Sequence, residues 1–444
     1  MTFHQFLKHA LLVSSFLAFL YMLYLHWGQL SKLWHKAKQA EGQWRKWKAK
    51  TPRDCPACQS GVSLAIHPLR REVQPWSERK SRRGRKKQCC TEGRACLQPG
   101  CKYFGITDPQ VHALVGNGKR GKRGDIQTFR CQACGSSFST RRNTPLYHLK
   151  TSPDRIEMCL WLLAEGMDVS VLVRYSGHVD DTLLRWLSRA GSHSQHLHDL
   201  LFVQLDLPYL QLDELYAPVA GNKRRSWLWL AIEPVSKIIP VLHLGGRSTE
   251  DVYHFLHDLK LHLVETCVPA ITTDGLRAYF YAITAHFGQW VAARWILDPL
   301  LVYGQLVKRR EKRKGDGTPF TVTRMLIGQR WQLFRTLREQ GFPETIQTAF
   351  IERVNLTLRP GVAPLCRKTW SLAKSQPSLL LHLHWWRSFY HLARPHESLR
   401  VQVPGLKRRY RQRSPAMAAG LTDHLWKVGD ILRLPLIFEQ GGVG

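Results

Sequence analysis

Between Pro208 and Phe287 the chain runs through strand-like and helical segments in one order: strand, strand, strand, helix, strand, helix. That order calls for a sheet layered with helices, an α/β fold with a mixed sheet. The strands are read at 209–216, 227–233 and 237–243, followed by a helix from Thr249 to Glu265. A fourth strand ends at Asp274, and a helix spans Leu276 to Phe287. Asp213 lies on the first strand, inside Leu-Gln-Leu-Asp-Glu-Leu, and Asp274 closes the fourth in Ile-Thr-Thr-Asp-Gly.

A carboxylate at the end of a buried strand is costly unless a cation uses it. A third acid, Glu352 in Ala-Phe-Ile-Glu-Arg-Val-Asn, lies in a segment with helical periodicity, read from about Glu344 to Arg359. Three carboxylates brought together form a hard, oxygen-rich site suited to Mg²⁺ or Mn²⁺. Two such ions about 3.5–4 Å apart activate a water or a 3′-hydroxyl and stabilise the leaving oxygen of a phosphodiester. Taken singly, an Asp in a strand is more often a hydrogen-bonding residue, and Asp-Gly a turn. Glu214 points to the opposite face of the strand from Asp213 and reads as an exposed charge.

The charge supplies a partner. The chain carries 65 Lys and Arg against 33 Asp and Glu, and residues 45–150 alone hold 24 basic and 6 acidic residues. A net charge of +32 favours polyphosphate, with an anionic membrane surface as the competitor. With 44% hydrophobic residues and 16 Trp the chain builds cores, which excludes a disordered basic protein. Its 444 residues suit several domains.

Eight of the 11 cysteines fall between Cys55 and Cys134. Cys96 and Cys101, with Cys131 and Cys134, flank a Gly- and Lys-rich loop at 116–124. Two turn-borne pairs followed by strand-forming residues give the layout of a zinc ribbon over 89–150, with Zn²⁺ on these four thiolates. Cys55 and Cys58 pair with Cys89 and Cys90 in a second zinc site, or the latter two are unliganded. Cys159, Cys267 and Cys366 read as buried core residues.

Residues 10–27 are uncharged and nearly all apolar, close to the lower limit of a membrane-spanning helix. They read as an anchor, with the basic stretch that follows on the cytoplasmic side, as a helix in a dimer interface, or as an upstream stretch wrongly included in the reading frame. Residues 1–50 thus form an apolar and a basic helix, and 51–88 a CxxC segment with a basic linker. From Ser152 to Ala190 the pattern is helical. Pro153 opens one helix with Ile156, Leu160 and Leu163 inward, a short helix from Val169 meets Gly177, and a third starts near Asp180 with Leu184 and Leu187 inward. That is helix-turn-helix spacing over 151–200, with Thr182, Arg185 and Arg189 outward to meet bases or phosphates. The alternative is a helical hairpin that only packs on the next domain. Residues 299–328 read as a hairpin with a basic tip from Lys308 to Gly317, including Lys308, Arg309 and Arg310. Trp227, Trp229, Trp385 and Trp386 read mainly as core.

Several phrases together resemble a DDE transposase of bacterial insertion sequences, of the insertion-sequence-one-like group. They are Arg130-Cys131-Gln132-Ala133-Cys134-Gly135, Arg142-Asn143-Thr144-Pro145-Leu146-Tyr147, Gln211-Leu212-Asp213-Glu214-Leu215, Thr273-Asp274-Gly275, Glu352-Arg353-Val354-Asn355 and Arg394-Pro395-His396. The resemblance covers roughly 90–435. It implies an RNase H-like catalytic domain over 205–400, with the hairpin at 299–328 as an insertion and 401–444 as a tail. It further implies metal binding by Asp213, Asp274 and Glu352, and a DNA contact at Arg359, seven positions after the glutamate. The activity implied is metal-dependent cleavage and strand transfer of double-stranded DNA, at transposon ends and target, by a dimer in the cytoplasm at the nucleoid, with residues 10–27 as a candidate inner-membrane tether. The rival reading is a non-catalytic zinc-ribbon and helix-turn-helix regulator; a nuclease that hydrolyses without joining is a third.

Overall fold

The computed structural model describes residues 73–79, 89–121, 124, 126–221, 225–291, 294–310, 319–403 and 409–436. The apolar segment 10–27, Cys55, Cys58, most of the basic linker and the hairpin tip at 311–318 lie outside the described residues. Among the described residues no helix is long and apolar enough to cross a membrane.

The cysteine-bearing segment folds as a three-stranded antiparallel sheet of β1 (Leu114–Arg120), β2 (Ile126–Cys131) and β3 (Ser137–Ser139). The stretch expected as a loop from 116 is largely strand. Glycine there is tolerated because β1 pairs with β2 along its length, with an irregularity between Gly116 and Lys119. Tyr103, Phe104, Leu114, Phe129 and the buried cysteines make a small core of their own.

Three helices follow: α1 (Pro153–Ala164), α2 (Val169–Ser176) and α3 (Asp180–Leu201). Proline opens α1, the Asp168 side chain caps α2 by accepting from Ser170 N, and Gly177 at φ 70 ends it in the left-handed conformation. Ile156, Leu160 and Leu163 are buried as expected. On α3 the inward residues are Leu183, Trp186 and Leu187, whereas Leu184 is only half-buried.

The central sheet holds β4 (Tyr209–Tyr216), β5 (Trp227–Ile232), β6 (Leu242–Gly245), β7 (Ala270–Thr273), β10 (Val302–Arg310) and β11 (Pro319–Ile327). A separate hairpin of β8 (Gly288–Val291) and β9 (Arg294–Leu297) interrupts the series. The order across the sheet is β11-β10-β7-β4-β5-β6. β4 is antiparallel to β5 and β5 to β6, while β7 is parallel to both β4 and β10. This mixed sheet, flanked by helices, is compatible with an RNase H-like domain. The hairpin read as an insertion instead completes the sheet, because its apolar base, Val302 to Gln305, pairs with β7. β6 starts later than its apolar run: Pro240 has no N–H to donate, and Ile239 N donates to His391 Nε2 instead of to a strand.

Helices α4 (Thr249–His262) and α5 (Arg277–His286) cover one face, where Trp229 meets Phe255 and Tyr279. After α6 (Arg330–Glu339), helices α7 (Ala349–Gly361) and α8 (Gln376–Ser388) cover the other. There Leu228, Leu230 and Ile232 pack with Ile351, Val354, Leu358 and Trp386. The alternation of β5 therefore serves two cores, one per face. Trp229, Trp385 and Trp386 are fully buried and cannot stack on bases. Helix α3 lies along α8, with Gly191 against the backbone of Leu381. A last helix, α9 (Val428–Arg433), returns to α1, where Arg433 pairs with the buried Glu157.

Candidate functional site

Asp213 sits two residues beyond the last pairing of β4 with β7, and Asp274 follows the last residue of β7. Asp274 therefore emerges at the carboxyl end of β7, beside the part of β4 that carries Asp213 past its pairing with β7, where α/β sheets form clefts. Beyond Gln211 the edge of β4 facing β7 has no strand partner, so side chains from both faces can bend round it. One oxygen each of Asp213, Glu214 and Asp274 lies within 4.8 Å of the others.

The two faces supply different supports. On the α7 side, Asn355 Nδ2 donates to Asp213 Oδ2 at 2.7 Å. On the α5 side, Tyr279 Oη donates to Glu214 Oε2 at 3.2 Å and Arg247 Nη2 to Glu214 Oε1 at 2.5 Å. The Glu214 side chain is only 3% exposed, so it is no surface charge. Alternation placed it on the opposite face correctly, but that face is roofed by α4 and α5 rather than open to water. Asp274 Oδ1 accepts from Leu276 N at 3.0 Å, which fixes the turn into α5.

Burial and crowding raise two of these carboxyls. Burial first, then Glu214 and Asp274, push the Asp213 carboxyl up to about 7. Burial and then Asp274 raise Glu214, against the pull of Arg247. These carboxylates repel one another; Arg247 pairs with Glu214, and Lys308 pairs with Glu352. Asn355 Oδ1, beside Asp213, is buried with no hydrogen-bond partner. A hydrated divalent cation would answer both: charge for the carboxylates, and a ligand water to donate to Asn355. The donor set is all oxygen, and a shared Mg²⁺ at about 2.0–2.1 Å from each ligand needs these oxygens to draw within about 4.2 Å.

Glu352 stands apart from this group. Its Oε1 accepts from Lys308 Nζ at 2.8 Å and from Thr348 Oγ1 at 3.2 Å. It is close enough to add to the upward push on Asp213. Lys308, on β10, is held above the ordinary lysine range by that bond and by the field of Asp213 and Asp274. Arg309 and Arg310 end β10 next to it. Arg359 lies two turns along α7 from Glu352, half-buried, its guanidinium lowered by burial and by Arg367.

The second centre is the cysteine cluster. One sulfur from each of Cys96, Cys101, Cys131 and Cys134 lies within 4.8 Å of the rest. Cys96 and Cys134 sulfurs are 3.7 Å apart, and those of Cys101 and Cys131 are 3.8 Å apart. A tetrahedron with Zn–S bonds of about 2.3 Å has edges of about 3.8 Å. Hydrogen bonding from Cys96 holds Cys131 down at about 5, while the same bond drives Cys96 up. Cys89 packs against this core and Cys90 is exposed; their expected partners lie outside the described residues.

The helical segment keeps Arg185 exposed on α3. Arg189 is also at the surface, but its Nη1 donates to Tyr147 O at 2.7 Å and to Pro145 O at 3.4 Å. It ties α3 to the cysteine-bearing segment. Sequence reasoning missed Glu214, Arg247, Tyr279 and Asn355 as members of the carboxylate site. Two of them had a visible signal: Glu214 adjoins Asp213 in an apolar strand, and Asn355 follows Glu352 by one helical turn. No protein-family model matches this sequence, and a comparison with curated proteins returns no match.

Proposed function

We propose that this chain is a DDE transposase, an RNase H-like, metal-dependent DNA strand transferase of an insertion sequence. The observation that carries the reading is the meeting of Asp213, on β4, with Asp274, just past the end of β7, while Glu352 stands apart on α7, held by Lys308. The sheet order supports it: three antiparallel strands, then two parallel ones, with the acids on the central pair. Divalent metal on these carboxylates would supply Lewis-acid activation of a water or 3′-hydroxyl and charge for the leaving oxygen. Asp213 and Asp274 would hold it, Glu214 steadied by Arg247 and Tyr279 would add a third oxygen, and Asn355 would orient Asp213. Glu352 would join once Lys308 turns to a DNA phosphate.

The cysteine-bearing sheet is read as a zinc ribbon that positions DNA through phosphates, and α1–α3 as a helix-turn-helix in which Arg185 faces the duplex. Binding of this kind weakens steeply with salt. The non-catalytic regulator would need no carboxylate convergence, and that convergence favours the enzyme. Incubation with DNA carrying the sequences that flank the gene, with Mg²⁺, tests it. Wild type should cut and join strands, while Asp213→Asn and Asp274→Asn should bind these ends yet lose both steps. Joining at wild-type rates by either variant would contradict the assignment.

A further inference from the structure

The Arg142-Asn143-Thr144-Pro145-Leu146-Tyr147 segment serves neither centre described above. It frames one wall of a cleft of about 270 Å³ against the outer face of β1, β2 and β3. Arg120, Arg141, Arg142, Phe138, Tyr147 and His148 line it, and among the described residues no carboxylate does. The wall is built rather than loose. Asn143 and His148 both adopt φ 58, a region non-glycine residues enter only where the fold imposes it. Thr144 Oγ1 donates to Arg141 O at 2.6 Å, and Leu146 plugs the core at 2% exposure. Arg141 Nη1 donates to Leu149 O at 3.1 Å, and Arg189 Nη1 holds Tyr147 O at 2.7 Å from α3. These ties leave Tyr147 37% exposed, with its ring centroid 4.0 Å from that of His148.

Arginines around an aromatic and apolar cleft recognise an anion that also carries a flat ring. Guanidinium forks take phosphate oxygens, and an aromatic face takes a base. The volume falls just below the roughly 300–1,000 Å³ of sites for drug-sized ligands, which admits one nucleotide but no duplex. We propose that this cleft takes a single unpaired nucleotide of a DNA strand, its phosphate on Arg120 and Arg142 and its base against Tyr147. The proposal rests on the DNA-processing reading, because cutting and joining leave unpaired nucleotides at strand ends, and such nucleotides cost least to extrude.

The test is fluorescence anisotropy with the full zinc-loaded chain and two labelled duplexes, one fully paired and one with a single unpaired thymidine. Wild type should bind the bulged duplex about tenfold tighter. Tyr147→Phe should keep that preference, and Tyr147→Ala should abolish it without changing affinity for the paired duplex. The surface variant Arg142→Gln should reduce the preference and covers the case in which Tyr147→Ala fails to fold. Equal affinity of wild type for both duplexes, or a preference that survives Tyr147→Ala, would overturn the cleft assignment and leave the DNA reading standing. Failure to bind either duplex would overturn the DNA reading beneath it.

Discussion

Asp213 bears the sharpest conflict between position and solvation in the sheet. Its carboxyl rises from 3.8 to about 7 on folding. The folded state therefore keeps this proton at pH values where the unfolded chain has lost it, and stability falls as pH climbs from about 4 to about 7. Without Mg²⁺ or Mn²⁺, wild type should lose thermal stability over that window relative to Asp213→Asn, which cannot ionise there. Parallel thermal melts of the two would show it; curves that track each other across the window would refute the cost. Lys308 offers a second check, since its ammonium both holds Glu352 and faces the two aspartates. Lys308→Met should raise Mn²⁺ affinity, by removing a competing cation, and lower the slope of DNA binding against salt by about 1. Unchanged values for both would make the pair an incidental surface contact.

Among the elements, α3 and α8 form the seam between the helical segment and the sheet domain. A Cβ on Gly191 would lie 2.2 Å from Leu381 O, so Gly191→Ala must push the two helices apart. An overpacking cost of about 1–3 kcal/mol is expected, read as a lowered denaturation midpoint with unchanged slope. A neutral outcome would mean that the seam is loose. Legibility differed element by element. β4, β5, α1 and α2 lie where apolar periodicity and caps placed them, because those signals are local. Helix α7 starts at Ala349 rather than near Glu344, since Thr345 N bonds Pro343 O in a turn first. The basic residues of the 299–328 hairpin hid the apolar base that joins the sheet. Glu214 was misread because alternation tells which face a residue takes, not what covers that face. The cover comes from α4 and α5, and the Arg247 and Tyr279 that hold Glu214 are 33 and 65 residues away. Arg189 was outward, as its spacing required, but its use by Tyr147 O depended on packing that no local pattern encodes.

For the whole molecule, 65 basic residues stand against 33 acidic, while the carboxylates that meet at the sheet are few and gathered. Four cysteine sulfurs at one centre and carboxylate oxygens at the other offer soft and hard donors, suited to Zn²⁺ and Mg²⁺ respectively. The helices α3 and α8, with Arg189 as a tie, connect the two halves of this arrangement through packed side chains. The proposed chemistry requires Asp213 and Asp274 together to hold a divalent ion. Electron paramagnetic resonance of Mn²⁺ titrated into the zinc-loaded full chain at neutral pH measures this directly. Wild type should remove Mn²⁺ from the free-ion signal, and Asp213→Asn and Asp274→Asn should each abolish that uptake. Equal Mn²⁺ uptake by wild type and both variants would contradict it.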